Sequence, residues 1–183
     1  MTSFKIYDET NAPEKSKRTL EEVKKNYGFV PNLLGELAES PAALESYLTM
    51  NEKLANSTLT PQEQQVLFLA VSYENECHYC MAAHSGIAKM SDCDDGTIEA
   101  LRNGTDLPDT KTNELVNFAR KVVKKQGWTE REDLDRFLSA GFSKENALDV
   151  LVAVSMKTLS NYANHILQTP VDEPFKSFEW KKE

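Results

Sequence analysis

Glycine and proline are scarce in this chain, with seven of each among 183 residues. No segment shows sustained apolar/polar alternation or a hairpin turn signal, so an all-β architecture is excluded. Cysteine is scarcer still. Three is an odd number, too few for the disulfide framework of a small secreted domain. The longest fully apolar stretch, Val66 to Val71, is far short of a membrane span. Met1 to Tyr7 holds no apolar run of signal-peptide length, so the chain is read as cytoplasmic. An excess of basic charge is also missing: 29 acidic against 21 basic residues leave a net charge of −8, spread along the sequence. Such a surface repels phosphate backbones and anionic lipid, which argues against nucleic acid and membrane as partners.

Apolar residues make up 40% and charged residues 27%, ordinary globular usage for a chain able to bury its own core. The few glycines and prolines fall where helices should begin or end. Thr19 with Glu22 reads as a capping box, and Gly28 ends that short helix. Ser40-Pro41 opens a helix to about Ala55, and Thr60-Pro61 with Glu63 opens another. Leu115, Phe118, Ala119, Val122 and Val123 lie at helical spacing between Thr112 and Lys125. Thr129 with Glu132 caps a helix stopping at Gly141, and Ser143 starts a long one that ends before Pro170. The fold class is therefore all-α. Residues 1–183 are read as one domain whose ends, 1–18 and 171–183, are extended, loosely packed arms. Leu69-Ala70-Val71-Ser72 and Val152-Ala153-Val154-Ser155 match at an offset of 83 and suggest two pseudo-repeated helical halves. From Ser72 to His84 is twelve residues, from Ser155 to His165 only ten, so chance likeness of two amphipathic helices is the alternative.

The informative segment is Cys77-His78-Tyr79-Cys80-Met81-Ala82-Ala83-His84. Two cysteines three apart share one helical turn, close enough to bridge with little backbone movement. His84 lies one turn beyond Cys80 on the same face, where it can take the thiol proton or stabilise the thiolate. Were the helix to start near Glu76, its free N–H groups and dipole would favour a sulfur anion. Thiolate is the nucleophilic form, so each feature raises reactivity. Two other readings stand beside redox chemistry: a zinc site on Cys77, Cys80 and His84 with Cys93 or His78, and a structural buried cysteine pair. Cys93, between Asp92 and Asp94, is read as inert, His78 as exposed, and His165 as a hydrogen-bonded packing residue.

These residues resemble the carboxymuconolactone decarboxylase and alkylhydroperoxidase D superfamily. The likeness rests on Leu59-Thr60-Pro61, Leu69-Ala70-Val71 and the Cys77–His84 segment. Phe29-Val30-Pro31-Asn32-Leu33-Leu34-Gly35, Ser40-Pro41 and Asn161-Tyr162-Ala163-Asn164-His165 are similar to its peroxidase-related branch. The resemblance implies an alkylhydroperoxidase D-like helical bundle that self-associates, and an antioxidant dithiol that reduces alkyl hydroperoxides. It implies Cys80 as the attacking thiolate, Cys77 as the resolving thiol and His84 as the proton relay. No cofactor or metal is implied, and the partners are a hydroperoxide and a dithiol or disulfide-reductase donor. The aromatics Phe137, Phe142, Phe175, Phe178 and Trp180 point the same way on self-association, as an apolar excess for one modest domain.

The chain departs from the family pattern at one site. A glutamate is expected twelve residues before the first cysteine, where this sequence has Gln65. Glutamine holds a hydrogen bond but carries no proton at neutral pH. Glu63 lies on another helix face, and Glu74 and Glu76 come into phase only if the helix continues through Asn75. A zinc-stapled binding or assembly module and a lactone-type lyase are the alternatives to the peroxidase.

Overall fold

Local capping chemistry sets most of the helix boundaries. In the computed structural model, which describes residues 4–182, nine α-helices follow one another. They are α1 (Glu14–Tyr27), α2 (Asn32–Leu37), α3 (Pro41–Ala55), α4 (Pro61–Glu74), α5 (His78–Met90), α6 (Asp95–Asn103), α7 (Thr110–Lys124), α8 (Arg131–Ser139) and α9 (Lys144–Leu167). A 3₁₀ turn, Glu173–Phe178, closes the chain. Ser40 Oγ caps α3 through the Ala43 amide, and Thr60 with Glu63 forms the expected capping box on α4. Ser143 caps α9, and Gly28 ends α1 at φ 82°, a left-handed position that glycine adopts without steric cost. No strand occurs among the described residues.

Two expected caps are displaced. Thr19 and Glu22 lie inside α1, which starts five residues earlier behind Pro13, because Ser16 Oγ donates to the Ala38 carbonyl and fixes the first turn against the bundle. The box on α8 is Glu130 with Asp133, one residue later than Thr129 with Glu132. Gln126 and Gly127, both at positive φ, consume chain in the preceding turn.

Helix α4 is the axis of the bundle. Its residues Val66 to Ser72 are all buried, because α7, α5 and α9 each cover a different side. Around it Leu67, Phe68, Val71, Leu115, Phe118, Phe137, Phe142 and Met156 form one core. Val66, Leu69, Met81, Leu101 and Val116 form a second, under α6. Leu20, Leu33, Leu34, Leu44, Tyr79 and the two cysteines form a third, roofed by α1, α2 and α3. Each large side chain so buried contributes about 1.5–3 kcal/mol.

The chain ends are held more tightly than loose arms. Tyr7 N–H donates to the Gly35 carbonyl at 3.2 Å, and α1 already includes residues 14–18. At the other end Asp172 accepts from Tyr79 Oη (2.5 Å) and from the Asn32 amide (2.9 Å). Arg102 donates to the Phe178 and Glu179 carbonyls, and Trp180 Nε1 donates back to the Arg102 carbonyl. Gly86 lets this turn lie directly on α5: a Cβ there would sit 2.8 Å from Phe175 Cδ1. Residues 1–3 and 183 of the expected arms lie outside the described residues.

The aromatics expected to face a partner are drawn inward instead. Phe137 and Phe142 are buried and stacked at 4.6 Å, while Phe175, Phe178 and Trp180 are half-buried over α5 and α6. Exposed apolar side chains lie on α9: Leu148, Leu151, Tyr162 and Ile166. The two matched tetrapeptides sit on helices of different build. The chain breaks after Glu74 in the first, whereas α9 runs unbroken for 24 residues. Among the described residues no helix is long and apolar enough to cross a membrane.

Candidate active site

The break after α4 creates the site. Glu76 takes a left-handed backbone, φ 55°, costly for a residue with a Cβ, and the Cys77 amide closes back on the Ser72 carbonyl at 3.0 Å. Helix α5 then restarts with Cys77 as its N-cap and Cys80 in its first turn. Both sulfurs therefore lie where unpaired amides and the helix dipole favour negative charge. The two thiols are free and buried, at 0% and 1% exposure.

Their environments differ in sign. Burial alone would raise the Cys80 thiol, but the Cys77 thiol donates to its sulfur and the Lys157 ammonium faces it, and together they bring it down to about 5. The same Cys77–Cys80 hydrogen bond, with burial, pushes the Cys77 thiol up, so Cys77 keeps the shared proton. Asn164 Nδ2 lies 3.2 Å from Cys80 Sγ and 3.5 Å from Cys77 Sγ, and Ser160 Oγ is 3.9 Å from Cys80 Sγ. Asn164 Oδ1 is buried with no hydrogen-bond partner among the described residues. Cys80 is thus arranged as the thiolate and Cys77 as the thiol.

His84 reaches this pair through a third residue. Its Nδ1 lies 2.9 Å from Gln65 Oε1 and its Nε2 lies 2.8 Å from Lys157 Nζ. An ammonium only donates, so Nε2 must accept, and the ring is a neutral imidazole whose Nδ1–H donates to Gln65. Burial, and then the Lys157 charge, hold His84 well below its ordinary range. Among the described residues no hydrogen bond joins His84 to either sulfur. The Phe68 ring, 5.1 Å from the imidazole, closes the other side.

The structure brings together all four residues singled out in the sequence, Cys77, Cys80, His84 and Gln65. It leaves out the candidate carboxylates. Glu63 caps α4 and binds Lys111, Glu74 pairs with Arg120 and Lys124, and Glu76 turns outward to Lys182. The helix is not continuous through Asn75, which removes the phase that would have aimed Glu74 and Glu76 at the thiols. His165 is exposed and stacked on Tyr162 rather than packed, and His78 is exposed against the edge of Trp180. Cys93 lies half-buried and outside the site, its thiol raised by burial and by Asp94 and Asp92.

Sequence reasoning missed Lys157, Ser160 and Asn164, all buried on α9. Their signal was available: Lys157, Ser160, Asn161 and Asn164 form a polar stripe at helical spacing, while Leu148, Leu151, Tyr162 and Ile166 face solvent. From Lys157 onward that helix is amphipathic in reverse, whereas its first half buries Val150, Ala153 and Met156. For a metal the donor set is poor. Both nitrogens of His84 are engaged and an ammonium stands among the donors. No group of three His, Cys, Asp or Glu suited to a metal ion occurs among the described residues.

Residues 41–125 match the profile of the carboxymuconolactone decarboxylase family. No curated protein matches the sequence. Among solved structures, the chain is similar to an alkylhydroperoxidase AhpD core, peroxidase-related protein from Ralstonia eutropha JMP134. The TM-score is 0.82 at 23% identity, over 94% of this chain and 93% of that one. A peroxidase-related protein from Silicibacter sp. TM1040 gives 0.80 at 21% identity, over 95% and 92%. A cysteine-to-alanine variant of the debrominase Bmp8, in complex with 2,3,4-tribromopyrrole, gives 0.80 at 14% identity, over 97% and 96%. The matched residues hold α3 to α7 with both cysteines, His84 and Gln65, and the all-helical bundle agrees over nearly the whole length. Residues 41–125 are thus similar to the carboxymuconolactone decarboxylase family, and the whole chain has the all-helical fold of the alkylhydroperoxidase AhpD core.

Proposed function

We propose that this protein is a thiol-dependent peroxidase that reduces hydroperoxides, alkyl hydroperoxides among them, through Cys80 and Cys77. The observation that carries the reading is the geometry of the pair: two buried free sulfurs share the N-terminal turn of α5, with Asn164 Nδ2 3.2 Å and Ser160 Oγ 3.9 Å from Cys80 Sγ, a setting that lowers the Cys80 thiol and raises that of Cys77. Cys80 attacks the terminal peroxide oxygen. The S–O bond forms, the O–O bond breaks, the sulfur is oxidised to a sulfenic acid, and the alkoxide leaves and takes up one proton to become the alcohol. Cys77 then attacks the Cys80 sulfur, its proton leaves with the hydroxyl as water, and a disulfide closes. A dithiol or disulfide reductase supplies two electrons and two protons to reopen it. Asn164 Oδ1, without a partner inside the site, is the acceptor available for the hydroperoxide O–H.

The reading includes one domain over the whole chain, a cytoplasmic location, antioxidant defence and self-association with a second copy. The exposed Leu148, Leu151, Tyr162 and Ile166 on α9 support the last. Peroxide consumption with a dithiol reductant tests the activity. Cys80→Ser should abolish it, while Cys77→Ser should leave the first oxidation intact and accumulate a sulfenic acid that a dimedone-type probe labels. Peptide mapping after one equivalent of peroxide should find the Cys77–Cys80 disulfide, with Cys93 reduced. If Cys77→Ser is the variant that cannot react, the two roles are exchanged. If neither variant differs from the parent, the reading fails.

A further inference from the structure

We propose that Lys157 is the catalytic acid of the peroxide step, pairing first with the Cys80 thiolate and then protonating the departing alkoxide. The inference rests on the peroxidase reading and deepens it. Lys157 is fully buried, at 0% exposure, in the middle of α9. No ion pair joins it to a carboxylate among the described residues. Its hydrogen-bonded neighbour on one side is His84 Nε2 at 2.8 Å; one turn further along α9, Ser160 Oγ lies 3.9 Å from the Cys80 sulfur, whose thiol the Lys157 charge helps to lower. A lysine charge left without a counter-ion in such a site would be costly. The Cys80 thiolate answers it, and the Lys157 charge in turn helps to lower the Cys80 thiol. Tyr47 from α3 and Tyr79 from α5 are the other titratable groups around the pair, and burial raises both, so they stay neutral.

The arrangement separates two roles. His84 is a positioning residue: its Nε2 lone pair takes one ammonium hydrogen, and its Nδ1–H is anchored on Gln65. That bond aims the remaining hydrogens of Lys157 toward the sulfur and the oxygen it attacks. Because Gln65 has no proton to give, the proton for the leaving group comes from Lys157. The cycle balances without another acid. Cys80–S⁻, Lys157–NH3⁺ and ROOH give Cys80–SOH, Lys157–NH2 and ROH. Condensation with the Cys77 thiol forms the disulfide and water. The reducing dithiol then returns both cysteines as thiols and is itself oxidised to a disulfide. The Cys80 proton passes back to Lys157, restoring the ion pair.

The test compares two reactions of the same sulfur over pH, in the full chain. Iodoacetamide alkylates a thiolate and expels iodide, which needs no proton. Hydrogen peroxide and tert-butyl hydroperoxide expel oxygen anions, which do. Wild type should alkylate at Cys80 with an acidic midpoint. Lys157→Met should move that midpoint toward the ordinary thiol value of about 8.5, a loss of about 30-fold in thiolate at pH 7. At pH 10 alkylation should recover, while the peroxide reaction stays about 10²–10⁴-fold slower for want of the acid. Lys157→Arg keeps the charge but cannot release a proton. It should keep the acidic alkylation midpoint and lose the peroxide step, and it decides the matter if Lys157→Met does not fold. An unshifted midpoint in Lys157→Met overturns the ion pair. Recovery of the peroxide rate together with alkylation at pH 10 overturns the catalytic acid, as does full peroxide activity in Lys157→Arg. A wild-type protein that alkylates at acidic pH yet ignores both peroxides overturns the acid along with the peroxidase reading, while leaving the Lys157–Cys80 pair established.

Discussion

Replacing Gln65 with glutamate restores the carboxylate that the superfamily pattern would place beside His84, and its effect follows from the geometry. Gln65 Oε1 lies 2.9 Å from Nδ1, so a carboxylate oxygen in its place would accept the same hydrogen with a full negative charge. Two unit charges about 4 Å apart interact by about 4 kcal/mol at an effective dielectric of 20, or about 3 pKa units. Desolvating the new carboxylate subtracts from that gain, so the net rise for the imidazole is about one to three units. In the native protein burial, with Lys157 beside the ring, keeps His84 neutral through the ordinary histidine range. In Gln65→Glu the ring should titrate visibly, with the Nδ1 proton retained and Nε2 no longer free to accept from Lys157. NMR titration of the imidazole protons, compared between the native protein and Gln65→Glu, reads this directly. A His84 midpoint that moves by less than about a third of a unit would refute the hydrogen bond, and with it the tautomer assigned to the ring.

Stability should rise with pH between about 5 and 8. Below the unfolded value near 6.5 the unfolded chain binds a proton that buried His84 refuses, and below about 8.5 it binds one that the folded Cys80 thiolate refuses, so both stabilise progressively as pH rises. Urea midpoints that are flat or falling across that window would contradict both assignments. Gly86→Ala should lower stability by about 1–3 kcal/mol, because its methyl group meets Phe175 and must displace the C-terminal turn. An unchanged urea midpoint would show that the turn is not seated on α5 in solution.

The helices were legible because their start signals act locally. Ser40-Pro41 and Thr60-Pro61-Gln62-Glu63 satisfy their own first-turn amides whatever packs against them. Thr19 with Glu22 has the same letters, but the Ser16–Ala38 contact, 22 residues apart, decides where α1 begins. The dithiol was legible for a similar reason, since Cys77, Cys80 and His84 are neighbours on one helix. Lys157 was not, because the helix crossing that sets its Nζ against a ring 73 residues away is a tertiary fact. The inward stripe of polar side chains on α9 is visible in the letters, yet letters alone do not say which face of a helix is the inside. The aromatic cluster near the C-terminus misleads for that reason: Phe137 and Phe142 read as surplus in the sequence, yet they fill the core.

The seclusion of the two sulfurs has a kinetic consequence. Cys77 and Cys80 sit within a layer of Leu33, Leu34, Leu44, Tyr79 and Phe175, contributed by four separate stretches of chain. A reagent in solution meets them only in the fraction of molecules in which that layer has parted. Every observed rate is then the intrinsic rate of the sulfur multiplied by an opening constant. Each 1.4 kcal/mol added to or taken from the layer scales all reagents of one size tenfold, with no change at the thiolate. Small oxidants need a smaller parting than a bulky reductant does. The protein can therefore be quick to oxidise and slow to be reduced while its chemistry stays fixed, and substitutions in the apolar roof would tune that ratio independently of the ion pair beneath it.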